Sequence, residues 1–230
     1  MRVLVACEES QRVCTAFRNK GHEAYSCDLL ECSGGHPEWH IQGDVLKVLN
    51  PWFSESDLTY GIHFTTMDGK LHFVSGKWDL IIAHPPCTRL CNSGQRWLYF
   101  GDKDYITHKL SDQRKAIVFF MHFVYADCDK IAIENPRGIM SSCFRSPDCV
   151  YNPYDFEGET ECKVTCLWLK GLSPLIPTRK IPLEPSLRSH NLYEAKENGV
   201  SLSWNSDICA RFRSRTPYGV ALAMADQWGG

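Results

Sequence analysis

Short apolar runs alternate with amphipathic segments along the first part of the chain. Arg2–Ala6 is apolar after its first residue and predicts a buried strand. Residues 11–20 repeat apolar positions at helical spacing, and Gly21 then ends the predicted helix. Residues 23–27 predict a second strand, which is followed by Asp28. A strand, a helix and a strand in this order are typical of the start of a parallel sheet.

The alternation continues after residues 51–76, which lack clear periodicity and predict an excursion or hairpin. Later segments predict strands at 78–83, 130–133 and 165–169, helices at 111–127 and 217–228, and loops at 95–108 and 174–185. Ser111 is the expected N-cap of its helix. Strands that alternate with helices favour an α/β fold with a parallel sheet, and we expect a single domain over residues 1–230.

Candidate reactive residues follow two of the predicted strands. Pro85-Pro86-Cys87 comes after the strand at 78–83, and two prolines end a strand and fix the turn that follows. Glu134-Asn135-Pro136 comes after the strand at 130–133. The carboxyl ends of parallel strands border the ligand crevice of such sheets, so both tips could face one pocket. Cys87 is then a candidate nucleophile, and a buried, inert cysteine is the alternative.

Composition excludes several classes of protein. The 25 basic and 27 acidic residues give a net charge of -2, so any contact with nucleic acid must be local. The 12 cysteines lie scattered, without a C-x-x-C pair, and the N-terminus does not resemble a signal peptide. No apolar run reaches the roughly 20 residues that span a bilayer. We therefore expect a soluble protein of a reducing cytoplasm, with no metal site and no membrane partner.

The motifs together resemble the DNA cytosine-5 methyltransferase family. Residues 85–94 match the family's PPCQGFS-x-x-G in length, and residues 134–139 match its ENV-x-G-L with proline in place of valine. Residues 215–221 look like its closing motif, which packs beside the cofactor. The whole chain, including residues 166–172, looks like the small phage and prophage members, which implies a bacterial or phage-infected cytoplasm. The resemblance implies a Rossmann-like class I S-adenosylmethionine-dependent methyltransferase fold, with a mostly parallel sheet and helices on both faces.

The same resemblance implies a reaction, the transfer of a methyl group from S-adenosylmethionine to C5 of cytosine. Because C5 is a poor nucleophile, a thiolate must first add to C6 and turn the ring into an enamine. Cys87 is the expected nucleophile, and Glu134, with Asn135 beside it, is the expected partner at the N3 edge of the base. A dry pocket would raise the pKa of Glu134.

Binding residues follow from the same match. Substrate contacts are expected from Pro86, Arg89, Arg137 and Lys163, of which Lys163 is a substitute for the arginine of the family's Gln-x-Arg-x-Arg strand. Asp28, which follows the second strand, and Asp44 occupy the places where the ribose hydroxyls and the adenine would bind. The other expected cofactor contacts are Ala6, Cys7, Glu8, Ser10, Leu29, Val45, Pro85 and Thr216.

Two segments depart from the family. Residues 6–11 contain none of the glycines of its F-x-G-x-G loop, and glycine allows the closest approach of a backbone to a ligand. Residues 163–215 replace a long target-recognition domain with a short stretch of nine basic and four acidic residues, a net charge of +5. The expected partner is therefore duplex DNA, single-stranded DNA or a pyrimidine nucleotide.

Two other functions remain open on the sequence. The missing glycines and arginine would also suit a binding protein of the same fold that has lost catalysis. A Pro-Pro-Cys turn also carries the nucleophile of thymidylate synthases, which would make the chain a C5-modifying enzyme of pyrimidine nucleotides.

Overall fold

The computed structural model describes residues 1–55, 58–92, 101–180, 196, 199 and 206–230, and ten strands lie within these ranges. They are β1 Arg2–Ala6, β2 Glu23–Asp28, β3 His40–Gln42, β4 Trp52–Ser54, β5 Thr59–Thr65, β6 Leu71–Ser75, β7 Leu80–Ala83, β8 Ile131–Pro136, β9 Cys149–Tyr151 and β10 Thr165–Lys170. Seven form one sheet in the order β3-β2-β1-β7-β8-β10-β9.

The direction of the strands defines the fold. From β3 to β8 all neighbours are parallel, whereas β10 is antiparallel to both β8 and β9. A parallel sheet with one reversed strand next to its end is the arrangement of the Rossmann-like class I methyltransferase fold. The expected fold class is therefore confirmed.

Helices cover both faces of this sheet. They are α1 Arg12–Asn19, α2 Lys103–Val124, α3 Met140–Cys143, α4 Asp207–Ser214 and α5 Tyr218–Trp228. One core joins α1 and α5 to Val3 and Val5 of β1, and the other joins α2 to Leu4 and Ala6. Because β1 is buried on both faces, it is apolar without alternation. Within the described ranges, no helix has the length and apolar character needed to cross a membrane.

A second sheet of three antiparallel strands, β4-β5-β6, lies between β3 and β7 along the chain. It packs on the same face as α2, and its buried residues Ile62, Phe64 and Val74 join that core. The aromatic rings of Tyr25 and Phe64 meet edge to face, with 4.8 Å between their centroids. The excursion expected at residues 51–76 is therefore this three-stranded sheet.

The start of α2 differs from the expectation. Residues 103–108 were expected to be a loop, with Ser111 as the N-cap, but the helix begins at Lys103 and Asp102 is its N-cap. The Asp102 carboxylate accepts a hydrogen bond from the backbone N–H of Tyr105 at 2.9 Å. Residues 103–105 are polar or exposed, so the start of the helix shows no apolar periodicity. The cap at Asp102 determines where the helix begins. The rest of that expected loop, 95–100, lies outside the described residues.

Strand β8 is longer than its apolar run. Glu134, Asn135 and Pro136 were expected to follow the strand, but they belong to it, because β10 pairs with them. Asn135 stands opposite Cys166, and Glu134 opposite Leu167. The reversed strand thus extends the sheet up to the polar residues.

The N-cap of α2 can be tested by a pair of substitutions. We expect Asp102→Ala to lower the free energy of unfolding by about 1 kcal/mol, because the first turn loses its side-chain acceptor. Ser111→Ala lies inside the helix and should change it by less than about 0.5 kcal/mol. Urea unfolding followed by circular dichroism measures both, and a larger effect at Ser111 would contradict the assignment.

Candidate active site

The central strands β7 and β8 bring the two predicted reactive groups to one edge of the sheet. They are parallel, and Ala83 stands opposite Ile133. Continuing this register places His84 beside Glu134. Pro85, which is buried, and Pro86, which is exposed, then carry the chain to the half-buried Cys87.

Backbone contacts fasten the loops that follow these strands to each other. The N–H of Ile139 donates to the carbonyl oxygen of Leu90 at 2.9 Å, and the N–H of Asn92 donates to that of Arg137 at 3.1 Å. A Cβ at Gly138 would overlap the Leu90 carbonyl, so only glycine allows this approach. The close approach of the two loops therefore explains why glycine stands at this position of the Glu-Asn-Pro-x-Gly motif.

Asn135 also acts between the two loops. Its Nδ2 donates to the carbonyl oxygen of Pro85 at 2.8 Å, and the side chain is buried. Its Oδ1 is buried and has no hydrogen-bond partner among the described residues. The contact shows that Asn135 orients the Pro-Pro turn that carries Cys87.

Glu134 is held by a histidine and a tyrosine. Its Oε2 lies 2.5 Å from Nδ1 of His84, and its Oε1 accepts a hydrogen bond from the Tyr151 hydroxyl at 3.4 Å. Burial opposes ionisation, but the hydrogen bond and charge of His84, with the charge of Lys163, bring the pKa of Glu134 below its ordinary value. The expected rise in this pKa is therefore wrong, because positive charges outweigh the dryness of the pocket.

The Cys87 thiol is protonated in this arrangement. A hydrogen bond with the Cys91 side chain and burial raise its pKa, and the negative charge of Glu134 adds to the rise. The positive charge of Lys163 opposes it. Since the thiolate is the attacking form, Cys87 must lose a proton before it can react.

The four predicted substrate contacts separate into two groups. Lys163 acts electrostatically on Cys87, Glu134 and His84, and its Nζ donates to the carbonyl oxygen of Arg213 at 3.1 Å. Pro86 adjoins Cys87 in the turn. Arg89 instead pairs with Asp112 of α2 at 3.3 Å. Arg137 is exposed, and its charge acts on Cys166.

The predicted nucleoside site lies at the ends of β1, β2 and β3. Burial raises the pKa of Cys7, and the charges of Asp28 and Asp44 raise it further, so these three residues are close together. Asp28 accepts the N–H of Leu30 at 2.9 Å, and Asp44 accepts the N–H of Leu46 at 3.0 Å. Leu29 is 73% exposed beside Asp28.

Two residues of the glycine-free loop after β1 have left-handed backbone angles. Cys7 has φ 60° and Gln11 has φ 58°, a region that favours glycine. The buried Glu8 carboxylate accepts the N–H groups of Val13 at 2.7 Å and Cys14 at 3.1 Å, and so caps α1 from within the loop. Burial raises the pKa of Glu8, which the charge of His84 counteracts.

The remaining predicted cofactor contacts are buried. Ala6 and Ser10 lie in β1 and in the loop after it, and Val45 is part of the core beneath β3. Thr216 lies between α4 and α5, where its carbonyl oxygen accepts a hydrogen bond from Arg12 at 3.2 Å. The side chains available to a nucleoside are thus Asp28, Leu29 and Asp44.

These residues fit the nucleoside part of S-adenosylmethionine. Two carboxylates stand at neighbouring strand ends, an exposed leucine offers an apolar face, and the backbone at Cys7 adopts the conformation that glycine would supply. In the part of the chain that the structure describes, no three His, Cys, Asp or Glu side chains are grouped as metal ligands.

Sequence reasoning missed three side chains at this site: His84, Cys91 and Tyr151. His84 could have been found, because it is a polar residue directly after an apolar strand. Cys91 contacts Cys87 through a turn in which its N–H donates to the Cys87 carbonyl at 2.9 Å. Tyr151 comes from β9, which no sequence pattern had indicated.

Neither a protein-family model nor a curated protein sequence matches this chain. Among solved structures, a methyltransferase of Entamoeba histolytica is similar with a TM-score of 0.45 and 13% identity, over 82% of this chain and 57% of that one. A candidate DNA modification methyltransferase encoded within an E. coli prophage gives 0.41 and 13%, over 80% and 53%. This chain spans just over half the length of either. The fold class rests on the strand order of the sheet, independently of both.

The contact at Gly138 predicts a strong effect of a single methyl group. Gly138→Ala should lower the free energy of unfolding by about 2 kcal/mol, because the loops must separate to admit the Cβ. Gly43→Ala is the matched control, since a Cβ there meets open space. Equal effects of the two substitutions in urea unfolding would contradict the close approach.

The His84–Glu134 pair predicts a pH-dependent coupling. The pKa of His84 is raised, so its contribution to stability is complete below its ordinary value of 6.5 and is lost as the pH rises through the folded value. The pKa of Glu134 is lowered, so its contribution is complete above 4.5 and is lost as the pH falls through the folded value. The coupling should therefore be greatest between pH 4.5 and 6.5.

A double-mutant cycle of His84→Gln and Glu134→Gln measures this coupling. Each single substitution should destabilise the protein by about 3 kcal/mol, because it leaves a buried charge unpaired. A coupling free energy that stays constant as the pH is raised above this window would show that the two groups do not form an ion pair.

Proposed function

We propose that this protein is a methyltransferase that transfers a methyl group from S-adenosylmethionine to C5 of cytosine in DNA. The observation that carries the proposal is the juxtaposition of Cys87 and Glu134 at the ends of adjacent strands. The thiol and the carboxylate interact electrostatically, and hydrogen bonds join the loops that hold them. A nucleophile and an acid at one edge of this fold suit addition to a pyrimidine ring.

In this proposal, different residues of the chain carry out different steps of the reaction. Cys87 loses its proton and forms a bond to C6, while Glu134 delivers a proton to N3 of the base. Lys163 favours the thiolate through its positive charge. When bound, S-adenosylmethionine supplies an electrophilic methyl group to the activated C5. Loss of the C5 proton to solvent then allows Cys87 to leave as the thiolate, which restores the aromatic ring.

The nucleoside of S-adenosylmethionine would be held by the ends of β1, β2 and β3. In this proposal Asp28 binds the ribose hydroxyls, Asp44 reads the adenine, and Leu29 packs against the ring. The left-handed turn at Cys7 lets the backbone follow the ligand without a glycine.

Cytosine must leave the base stack to reach Cys87, so the substrate is a flipped or single-stranded base. The basic stretch 163–215 would contact phosphates, although 181–195, 197–198 and 200–205 within it lie outside the described residues. Phosphate contacts carry no direct base readout, and we expect little sequence preference.

Covalent trapping tests the nucleophile. DNA containing 5-fluorocytosine, incubated with the protein and S-adenosylmethionine, should give an adduct that survives denaturation, because fluorine at C5 blocks the release of Cys87. Cys87→Ser should abolish the adduct, whereas Cys143→Ser, which changes an exposed cysteine, should retain it. Absence of an adduct with duplex, single strand and nucleotide alike would overturn the proposal.

Calorimetry tests the cofactor site and separates an enzyme from a binding protein that has lost catalysis. We expect S-adenosylmethionine to bind, and Asp28→Asn to weaken binding about tenfold through the loss of one charged hydrogen bond. Asp127→Asn, on the surface beside Lys77, should leave the affinity unchanged. Binding of DNA without any binding of S-adenosylmethionine would favour the inactive protein.

A further inference from the structure

His84 has no part in the chemistry proposed above, yet it is in direct contact with the acid. Its Nδ1 lies 2.5 Å from Oε2 of Glu134, and the side chains are only 10% and 13% exposed. Its other ring nitrogen, Nε2, is buried without a hydrogen-bond partner among the described residues. The ring is therefore fixed by Glu134, at the same edge of the sheet as Cys87.

Three charged groups act on this ring, and a hydroxyl holds the carboxylate that it contacts. Glu8 approaches from the loop after β1, Glu134 from β8, and Lys163 from the segment before β10, while the Tyr151 hydroxyl of β9 contacts the far oxygen of Glu134. Burial opposes a charge on His84, but the hydrogen bond and charge of Glu134, with the charge of Glu8, raise its pKa despite the opposing Lys163. His84 thus carries a proton under conditions in which Glu134 is ionised.

We propose that His84 is a positioning residue that orients Glu134 and stores the proton which Glu134 passes to N3 of the pyrimidine. The inference rests on the proposed function, because it assigns the source of a proton in that reaction. An ionised Glu134 has no proton to give, and a neighbour must supply one.

The proton and charge balance is complete. The Cys87 thiol first loses its proton to solvent. As the thiolate bonds to C6, the proton on Nδ1 of His84 crosses to Glu134 and from its carboxyl to N3. The ring then carries a thioether at C6 and a proton at N3, while His84 is neutral and Glu134 is again an anion. When Cys87 leaves, the N3 proton returns through Glu134 to His84.

The rate of trapping on 5-fluorocytosine DNA, at saturating DNA and S-adenosylmethionine, tests this role. Between about pH 6 and about pH 9, the wild-type rate should first rise as the thiolate fraction grows. It should then level off as His84 loses its proton, because the loss of protonated His84 offsets the gain of thiolate. His84→Gln should lower the rate at neutral pH about 100-fold, and its rate should keep rising with pH without levelling off. The affinity for DNA should stay within about twofold, because His84 acts through Glu134.

Two further variants separate proton transfer from folding. His122→Gln, on the exposed surface of α2, is the matched control and should behave as wild type. His84→Ala should regain rate when imidazole is added, since imidazole can fill the space and carry the proton. A folded His84→Ala that imidazole does not rescue would overturn the proposal and leave His84 a structural role.

The outcomes also distinguish this inference from the proposed function. If the wild-type protein forms no adduct, the function fails and the role of His84 fails with it. If the wild type is trapped and His84→Gln is trapped at the same rate with the same pH profile, only the role of His84 is overturned. A wild-type rate that rises with pH throughout would overturn it as well, even if His84→Gln did not fold.

Discussion

The parallel pairing of β7 with β8 in the middle of the sheet is the constraint on which the site depends. Its register sets Ala83 against Ile133, and so directs the chain into His84 and Cys87 on one strand and Glu134 on the other. A shift by one residue would turn alternate side chains to the opposite face of the sheet. The buried apolar residues of both strands make such a shift costly, so the core that stabilises the fold also sets the geometry of the site.

The site combines buried charges of both signs. Charges in a dry environment stabilise a protein only when each has a partner, and the contact between His84 and Glu134 meets this condition. Burial raises the pKa of both Cys87 and Glu134, but their neighbours differ. Cys91 and Glu134 add to the rise at Cys87, whereas His84 and Lys163 bring the pKa of Glu134 below its ordinary value. Neighbouring residues, more than depth, decide which group holds a proton.

Much of this architecture could be predicted from the sequence, and the exceptions have physical reasons. Apolar runs located β1, β7 and β10, since such strands are buried on both faces. The first turns of α2 were missed because they are set by the Asp102 cap and not by a core-facing stripe. The motifs indicated Cys87 and Glu134, but the expected direction of the Glu134 pKa shift was wrong. The motifs did not pair Glu134 with His84, and its other partners, Lys163 and Tyr151, come from distant segments.

The hydrogen bonds around Gly138 have a consequence for motion at the site. The turn that carries Cys87 and the loop after Glu134 are joined through Asn135, Leu90 and Ile139, without room for a side chain between them. An opening that displaced one loop alone would have to break these bonds together. Cys87 and Glu134 therefore move as a single rigid piece, and any gate over this edge of the sheet must be formed by other parts of the chain.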